Sequence, residues 1–204
     1  SLMQCTLPKM PPGHPASNFS AEGRSLRTIL DSMRAFCAKK ETGGELSKQW
    51  WRDTLTRLRD VDIRFRRKEK LIFPRLARKG FTRPERMMKR THVHLMGLLD
   101  KCARELEYGE AAAFRVLVES MVQDFSQLLF KEDKVLCPTC IALFDQEDWV
   151  CVREAEEEAG WAFIDPPPAW PATDTKDAPA QAFSDWANAF HRAALESHSD
   201  NTET

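Results

Sequence analysis

Apolar residues recur every three or four positions along four stretches of this chain, and each stretch ends near a glycine or a proline. In residues 17–40 the repeat is Leu26, Ile29, Leu30, Met33, Phe36 and Cys37, closed by Thr42-Gly43-Gly44. That spacing places one stripe along one face of a helix. Residues 46–72 carry Trp51, Leu55, Leu58, Asp62, Phe65 and Glu69 at the same interval. Two carboxylates thus fall on the face expected to be buried, which is costly unless they are paired or bound to metal. The third stretch opens at Thr82-Arg83-Pro84-Glu85, which predicts a capping box, and runs through Met88, His92, Leu95, Leu99, Cys102 and Leu106 to Tyr108-Gly109. His92 lies on the apolar face and His94 on its flank. The fourth carries Phe114, Val118, Met121, Phe125, Leu128, Glu132 and Val135 ahead of Pro138.

The ends of the second and fourth helices share one device. Lys68-Glu69-Lys70-Leu71-Ile72-Phe73-Pro74 and Lys131-Glu132-Asp133-Lys134-Val135-Leu136-Cys137-Pro138 each predict a charged last turn stopped by a proline. A shorter helix follows, with Asp145 as its N-cap, Trp149 and Val152 on one face, and Gly160 at its end. Four long helices joined by short connections predict an all-α, up-down-up-down four-helix bundle, with additional helices toward the C-terminus. The organisation expected is a flexible segment at 1–13, the bundle with its short following helix at 14–160, and a Pro-rich connector with an amphipathic helix at 161–204. In that last part Pro166-Pro167-Pro168-Ala169-Trp170-Pro171 is stiff, and Phe183, Trp186, Phe190 and Ala194 mark a face that should dock on the bundle or on a partner.

An up-down-up-down order brings the start of helix 1, the end of helix 2, the start of helix 3 and the end of helix 4 to one end. His14, Glu69, His92 and Glu132 belong to those four places. Two imidazoles and two carboxylates in one layer suit iron, zinc or manganese, and bundle interiors often house such sites. Asp62, one heptad before Glu69, is a further ligand or a hydrogen-bond acceptor for one. The alternative for each is ordinary: an inward histidine held by a hydrogen bond, and a carboxylate paired with arginine or lysine. Cys137-Pro138-Thr139-Cys140 lies at the same end, and a C-x-x-C pair either binds metal, cycles between dithiol and disulfide, or simply packs.

Composition adds little to this. The chain has 204 residues, 42% apolar and 30% charged, with a net charge of -1, which is ordinary for one soluble domain. The charge is uneven. Residues 57–90 hold 14 Lys or Arg against 4 Asp or Glu, and residues 145–204 hold 14 acids against 3 Lys or Arg. This asymmetry reads as solvated helix ends partly neutralised by an acidic tail, and nucleic-acid binding is not expected. No membrane span is present and no apolar run of signal-peptide length stands at the start, where Ser1-Leu2 before Met3 reads as a cloning remnant, so a cytoplasmic location is expected. The six cysteines are then reduced thiols. No nucleophile-base pair, phosphate loop or nucleotide fingerprint is found, so no catalytic residue is assigned.

The ordered set Gly13-His14-Pro15 with Phe19 and Glu22, then Phe65 with Arg67-Lys68-Glu69 and Leu71-Ile72-Phe73-Pro74, then Gly80-Phe81 with Met88 and His92, then Lys131-Glu132-Asp133 with Leu136 and Pro138, and finally Asp148-Trp149, resembles the hemerythrin-like, HHE cation-binding superfamily. It is most similar to a branch of unknown function often found ahead of a PAS sensor domain. The resemblance implies non-haem iron, mono- or dinuclear, serving oxygen, nitric-oxide or redox responses. His14 and His92 match family histidine ligands, and Glu132 matches the carboxylate of the last helix. Three positions depart: Arg64 and Leu128 stand where the family has histidine, and Lys68 where it has a carboxylate, leaving Glu69 as the nearest acid. A complete five-histidine di-iron site cannot be assembled. Either a reduced mononuclear site remains, or the Arg64 guanidinium takes the metal's place and pairs with Glu132 or Glu69. The functions expected are a metal-binding sensory or regulatory domain, or a metal-free interaction module. The expected partners are a protein reached through the C-terminal segment and a second copy of the chain.

Overall fold

The computed structural model describes residues 10–38 and 45–171, and among these there is helix and no strand. The described residues form eight α-helices: α1 Pro15–Ala38, α2 Glu45–Leu58, α3 Val61–Arg67, α4 Phe73–Arg78, α5 Arg83–Tyr108, α6 Ala111–Lys131, α7 Cys137–Leu143 and α8 Gln146–Ala159. Five-residue π turns at Lys68–Ile72 and Glu132–Leu136 join α3 to α4 and α6 to α7. The result is four long rods, α1, α2 to α4, α5, and α6 to α7, with α8 packed beside them. Cross-contacts fix their directions. Arg34 and Arg27 of α1 meet Ser126 and Asp133, in descending against ascending order, while Arg52 of α2 and Arg59 just past its end meet Glu107 and Asp100 of α5. Neighbouring rods are therefore antiparallel, as expected of an up-down-up-down bundle.

The core follows the apolar stripes. Leu26, Leu30 and Met33 of α1 meet Trp51, Leu55 and Leu58 of α2, Leu95, Leu99 and Cys102 of α5, and Val118, Met121 and Phe125 of α6, all at most 3% exposed. The end away from the polar residues is closed by stacked aromatics, with Phe36 on Trp50 at 4.2 Å and Trp51 edge-on to Phe114 at 5.1 Å. No helix among the described residues is long and apolar enough to cross a membrane.

Proline does not stop either rod. Instead, each chain continues into another helix, because the preceding turn widens: Phe73 N–H bonds to Lys68 O and Cys137 N–H to Glu132 O, five residues back. A wide turn seats the ring of Pro74 or Pro138 without the carbonyl clash that an α turn would impose. The extra residue also resets the helical phase. Val135, expected inward, is 54% exposed, and Leu136 is buried in its place. A tight turn at Arg59–Asp60 interrupts the second rod as well. The Asp62 side chain, expected on the buried face, is thereby 41% exposed and pairs with Arg66 at 2.7 Å. Arg64, Arg67 and Lys68 turn inward instead.

The N-terminal signals are mixed. Asp145 caps α8 by accepting the Asp148 N–H at 2.9 Å, as expected. Thr82 makes no side-chain cap bond, and Glu85 pairs with Lys89, so the capping box does not form. The Pro-rich stretch does not run clear of the bundle. Arg153 donates to Pro167 O and Pro168 O at 3.4 and 3.2 Å, and Trp170 packs edge-on against His14 at 4.5 Å. This strap crosses Gly13 so closely that a Cβ there would lie 2.3 Å from Pro168 O, and Gly13 also holds φ +82. The expected amphipathic helix near residues 180–195 lies outside the described residues, as do residues 1–9 of the expected flexible start. Met10, within it, packs on the core.

Because Phe125 is fully buried between rods whereas Val93 is 75% exposed, Phe125→Ala is expected to cost about 3–5 kcal/mol and Val93→Ala less than about 0.5 kcal/mol. Urea denaturation of the two variants measures both.

Candidate functional site

The two phase resets and the strap converge on one end of the bundle, where six charged side chains, each no more than 5% exposed, form a lattice. Three are cations from one helical turn and a half: Arg64 and Arg67 of α3, and Lys68 at the start of the first π turn. Three are carboxylates from separate elements: Glu22 of α1, Glu132 at the start of the second π turn, and Glu156 of α8. Charge balances within the set, which is what permits its burial.

Glu132 is held on both oxygens. Arg64 Nη2 donates to Oε2 at 2.5 Å and Lys68 Nζ donates to Oε1. Arg64 Nη1 also donates to Glu22 Oε2 at 3.0 Å and to Phe19 O at 2.6 Å. Arg67 bridges the other two acids, with Nη1 to Glu22 Oε1 at 2.5 Å and Nη2 to Glu156 Oε1 at 2.9 Å, while its guanidinium lies 4.4 Å above the Phe19 ring. Asn18 donates to Glu156 Oε2 at 2.9 Å. The strap joins the same lattice through its backbone: Ala162 N–H donates to Glu22 Oε1 at 2.7 Å, and Arg67 Nη1 donates to Gly160 O at 3.0 Å.

These partners set the ionisation. Burial alone would raise Glu132, but the charges of Arg64 and Lys68 hold it at about 2. Burial and the adjacent Arg64 charge pull Lys68 down to about 8, against the opposing pull of Glu132. Burial, outweighing the Arg67 charge, raises Glu156.

Of the four residues expected as ligands, Glu132 belongs to the lattice and the other three do not. His92 and Glu69 form a pair of their own, with Nδ1 2.7 Å from Glu69 Oε1 and the imidazole stacked on Phe65 at 3.9 Å. Its Nε2 is buried without a hydrogen-bond partner. His14 stands apart, between Trp149 at 4.7 Å and Trp170, with Nδ1 accepting the Ala16 N–H at 3.1 Å. Burial lowers both histidines to about 4, so both rings are neutral at pH 7. Among the described residues no group of three or more His, Cys, Asp and Glu is placed to hold a metal ion.

Sequence reasoning missed Glu22, Arg67, Asn18 and Glu156 as members of the site. Glu22 and Arg67 were visible only as parts of a motif, and Glu156 sits in a run of acids that reads as a solvated face. Cys137 and Cys140 border a cavity of about 40 Å³ beside Lys68 and Glu132. Burial raises Cys137 to about 11 and Cys140 well above the ordinary thiol value, which leaves both protonated and poorly reactive.

The hemerythrin HHE cation-binding domain model matches residues 14–140, more than half of the chain, and the chain belongs to that family. Its bundle is that of a cation-binding helical domain. No curated protein matches the chain. The donor set of this member does not fit a metal as arranged. A divalent ion needs converging, unengaged lone pairs from carboxylates and imidazoles. Both oxygens of Glu132 already receive cationic donors, Glu22 and Glu156 accept from Arg67, and His14 and His92 face different surroundings. A further double charge would also unbalance a set that is already neutral.

Acid should destabilise the fold in two stages. His14 and His92 have folded values of about 4 against an ordinary 6.5, so the unfolded chain gains protons that the fold refuses. Stability is therefore expected to fall as pH drops from 6.5 to 4. The contribution of Glu132, folded at about 2 against 4.5, is present above 4.5 and lost below it. Urea midpoints measured across this range check both stages, and His92→Phe, which keeps the stack on Phe65, is expected to flatten the first.

Proposed function

We propose that this protein is a metal-free regulatory member of the hemerythrin family, in which Arg64 and Lys68 supply the positive charge at the cation position and the bundle holds the C-terminal segment for a protein partner. The observation that carries this reading is the double engagement of Glu132 by Arg64 and Lys68. A carboxylate so held has its negative charge already answered, at a place where the family would have its ion coordinated.

The second half of the reading rests on the strap. Glu22 and Arg67 serve at once as lattice members and as anchors for Ala162 and Gly160, so the same charges that fill the core fix the point from which the chain leaves the bundle. A change in the lattice alters the exit segment directly.

One observation favours a residual mononuclear iron centre with an oxygen, nitric-oxide or redox role: His92 Nε2 is buried and unpartnered while its Nδ1 is held by a carboxylate, the usual arrangement behind a metal-bound imidazole. Elemental analysis of untagged protein purified anaerobically decides between them. Iron, zinc and manganese are expected at far below one atom per chain in both the natural protein and a His92→Ala variant. Stoichiometric iron that disappears in His92→Ala would overturn the metal-free reading.

A further inference from the structure

Beyond the charged end, the described surface carries a groove of about 790 Å³ between α1 and α6. Its floor includes Cys37, Val118, Val122 and Phe130, with Lys131 toward the charged end and Glu119 toward the far end. Phe130 is 62% exposed, a large cost for a side chain at the seam of two helices unless something covers it. We propose that the occupant of this groove is the chain's own segment 183–194, docked as an amphipathic helix.

Three features select that occupant. First, Phe183, Trp186, Phe190 and Ala194 repeat at intervals of three and four, so a helix here would present one apolar face of the width that a groove between two helices accepts. Second, the chain reaches. The described strap ends at Pro171, next to Trp170, which packs on His14 at the start of α1. From His14 to Arg34, which lines the groove, twenty residues of helix rise about 30 Å. The eleven residues between Pro171 and Phe183 span about 36 Å when extended.

Third, the order of charges agrees with the direction of travel. A segment arriving from the His14 end runs parallel to α1 and antiparallel to α6, and so passes Lys131 before Glu119. Its acid, Asp185, comes first and its base, Arg192, second. Lys131 and Glu119 are about 18 Å apart along α6, and Asp185 and Arg192 about 10 Å apart along a helix, a difference that the long side chains of Lys131 and Arg192 bridge. A second copy of the chain offers the same apolar face, but without the tether that raises the local concentration of the segment. The inference does not depend on whether the charged end binds metal.

Cys37, partly buried on the groove floor, reports occupancy. Its rate of modification by a maleimide, read by peptide mass mapping on the full chain, is expected to rise about tenfold in Trp186→Asp and in Phe130→Asp. The exposed Cys151 is expected to react equally in all three proteins, and the buried Cys102 and Cys140 to stay unmodified, which shows that the bundle is intact. Trp186 lies outside the described bundle, so its variant tests the proposal even where Phe130→Asp perturbs α6. A Cys37 rate unchanged by Trp186→Asp would overturn the proposal. So would protection of Cys37 that grows with protein concentration, since the segment would then come from another copy.

Discussion

Glu132 lies buried between Arg64 and Lys68, and the rest of this end of the molecule depends on that contact. A buried carboxylate without partners costs several kcal/mol, and a buried ammonium or guanidinium costs as much again. Neither cost is tolerable alone. Closing the set at three cations and three carboxylates makes each burial conditional on the others, and it draws α1, α3, both π turns, α8 and the strap into one unit. The aromatic ring of Phe19 completes the enclosure by covering Arg64 and Arg67 on one face. The hydrophobic stripes would bring the four rods together without this lattice. The lattice is what specifies how their polar ends align.

The π turns are the backbone's part in the same arrangement. Lys68 and Glu132 each open a π turn, and they are each other's partners across the core. Widening a helix by one residue ahead of a proline shifts the side chains that follow it, and here both shifts occur at the level where the charges meet. Local interruptions of this kind are common where a helix serves a purpose beyond packing. The sequence device of a charged turn followed by apolar residues and a proline is thus a way of re-aiming a helix rather than ending it.

That difference explains what could be read in advance. Periods of three and four residues identified the rods, their order and most of the core, because stripes such as Leu95, Leu99 and Cys102 depend only on an unbroken helix. Arg64 was anticipated as a partner of Glu132 from its place in the family pattern, whereas the inward turn of Arg67 and Lys68 was not legible, since the break at Arg59–Asp60 reverses the assignment of Asp62 and its neighbours. Glu22 and Glu156 gave no periodic signal of their own, the one a lone acid between Ala21 and Gly23 and the other one of several in the acidic run at 154–158. Chain order did place His14, Glu69, His92 and Glu132 toward one end. It could not show that tryptophans enclose His14 or that Glu69 takes His92 away from Glu132, because those pairings depend on side-chain direction and on the strap returning from residues 161–171.

In the metal-free reading proposed above, this member of a cation-binding family retains its bundle and uses side-chain cations in place of an ion. Such a substitution keeps the carboxylate of the last helix charged and buried, preserves the spacing of the rods, and removes the need for a metal to hold them. The most direct measurement is a double-mutant cycle on Lys68→Met and Glu132→Gln by urea denaturation. Each single variant is expected to lose about 3–5 kcal/mol because it strands a buried charge, and the double variant to recover about 1–3 kcal/mol of the summed loss. Strictly additive losses would contradict the claim that these two charges support one another in place of a metal.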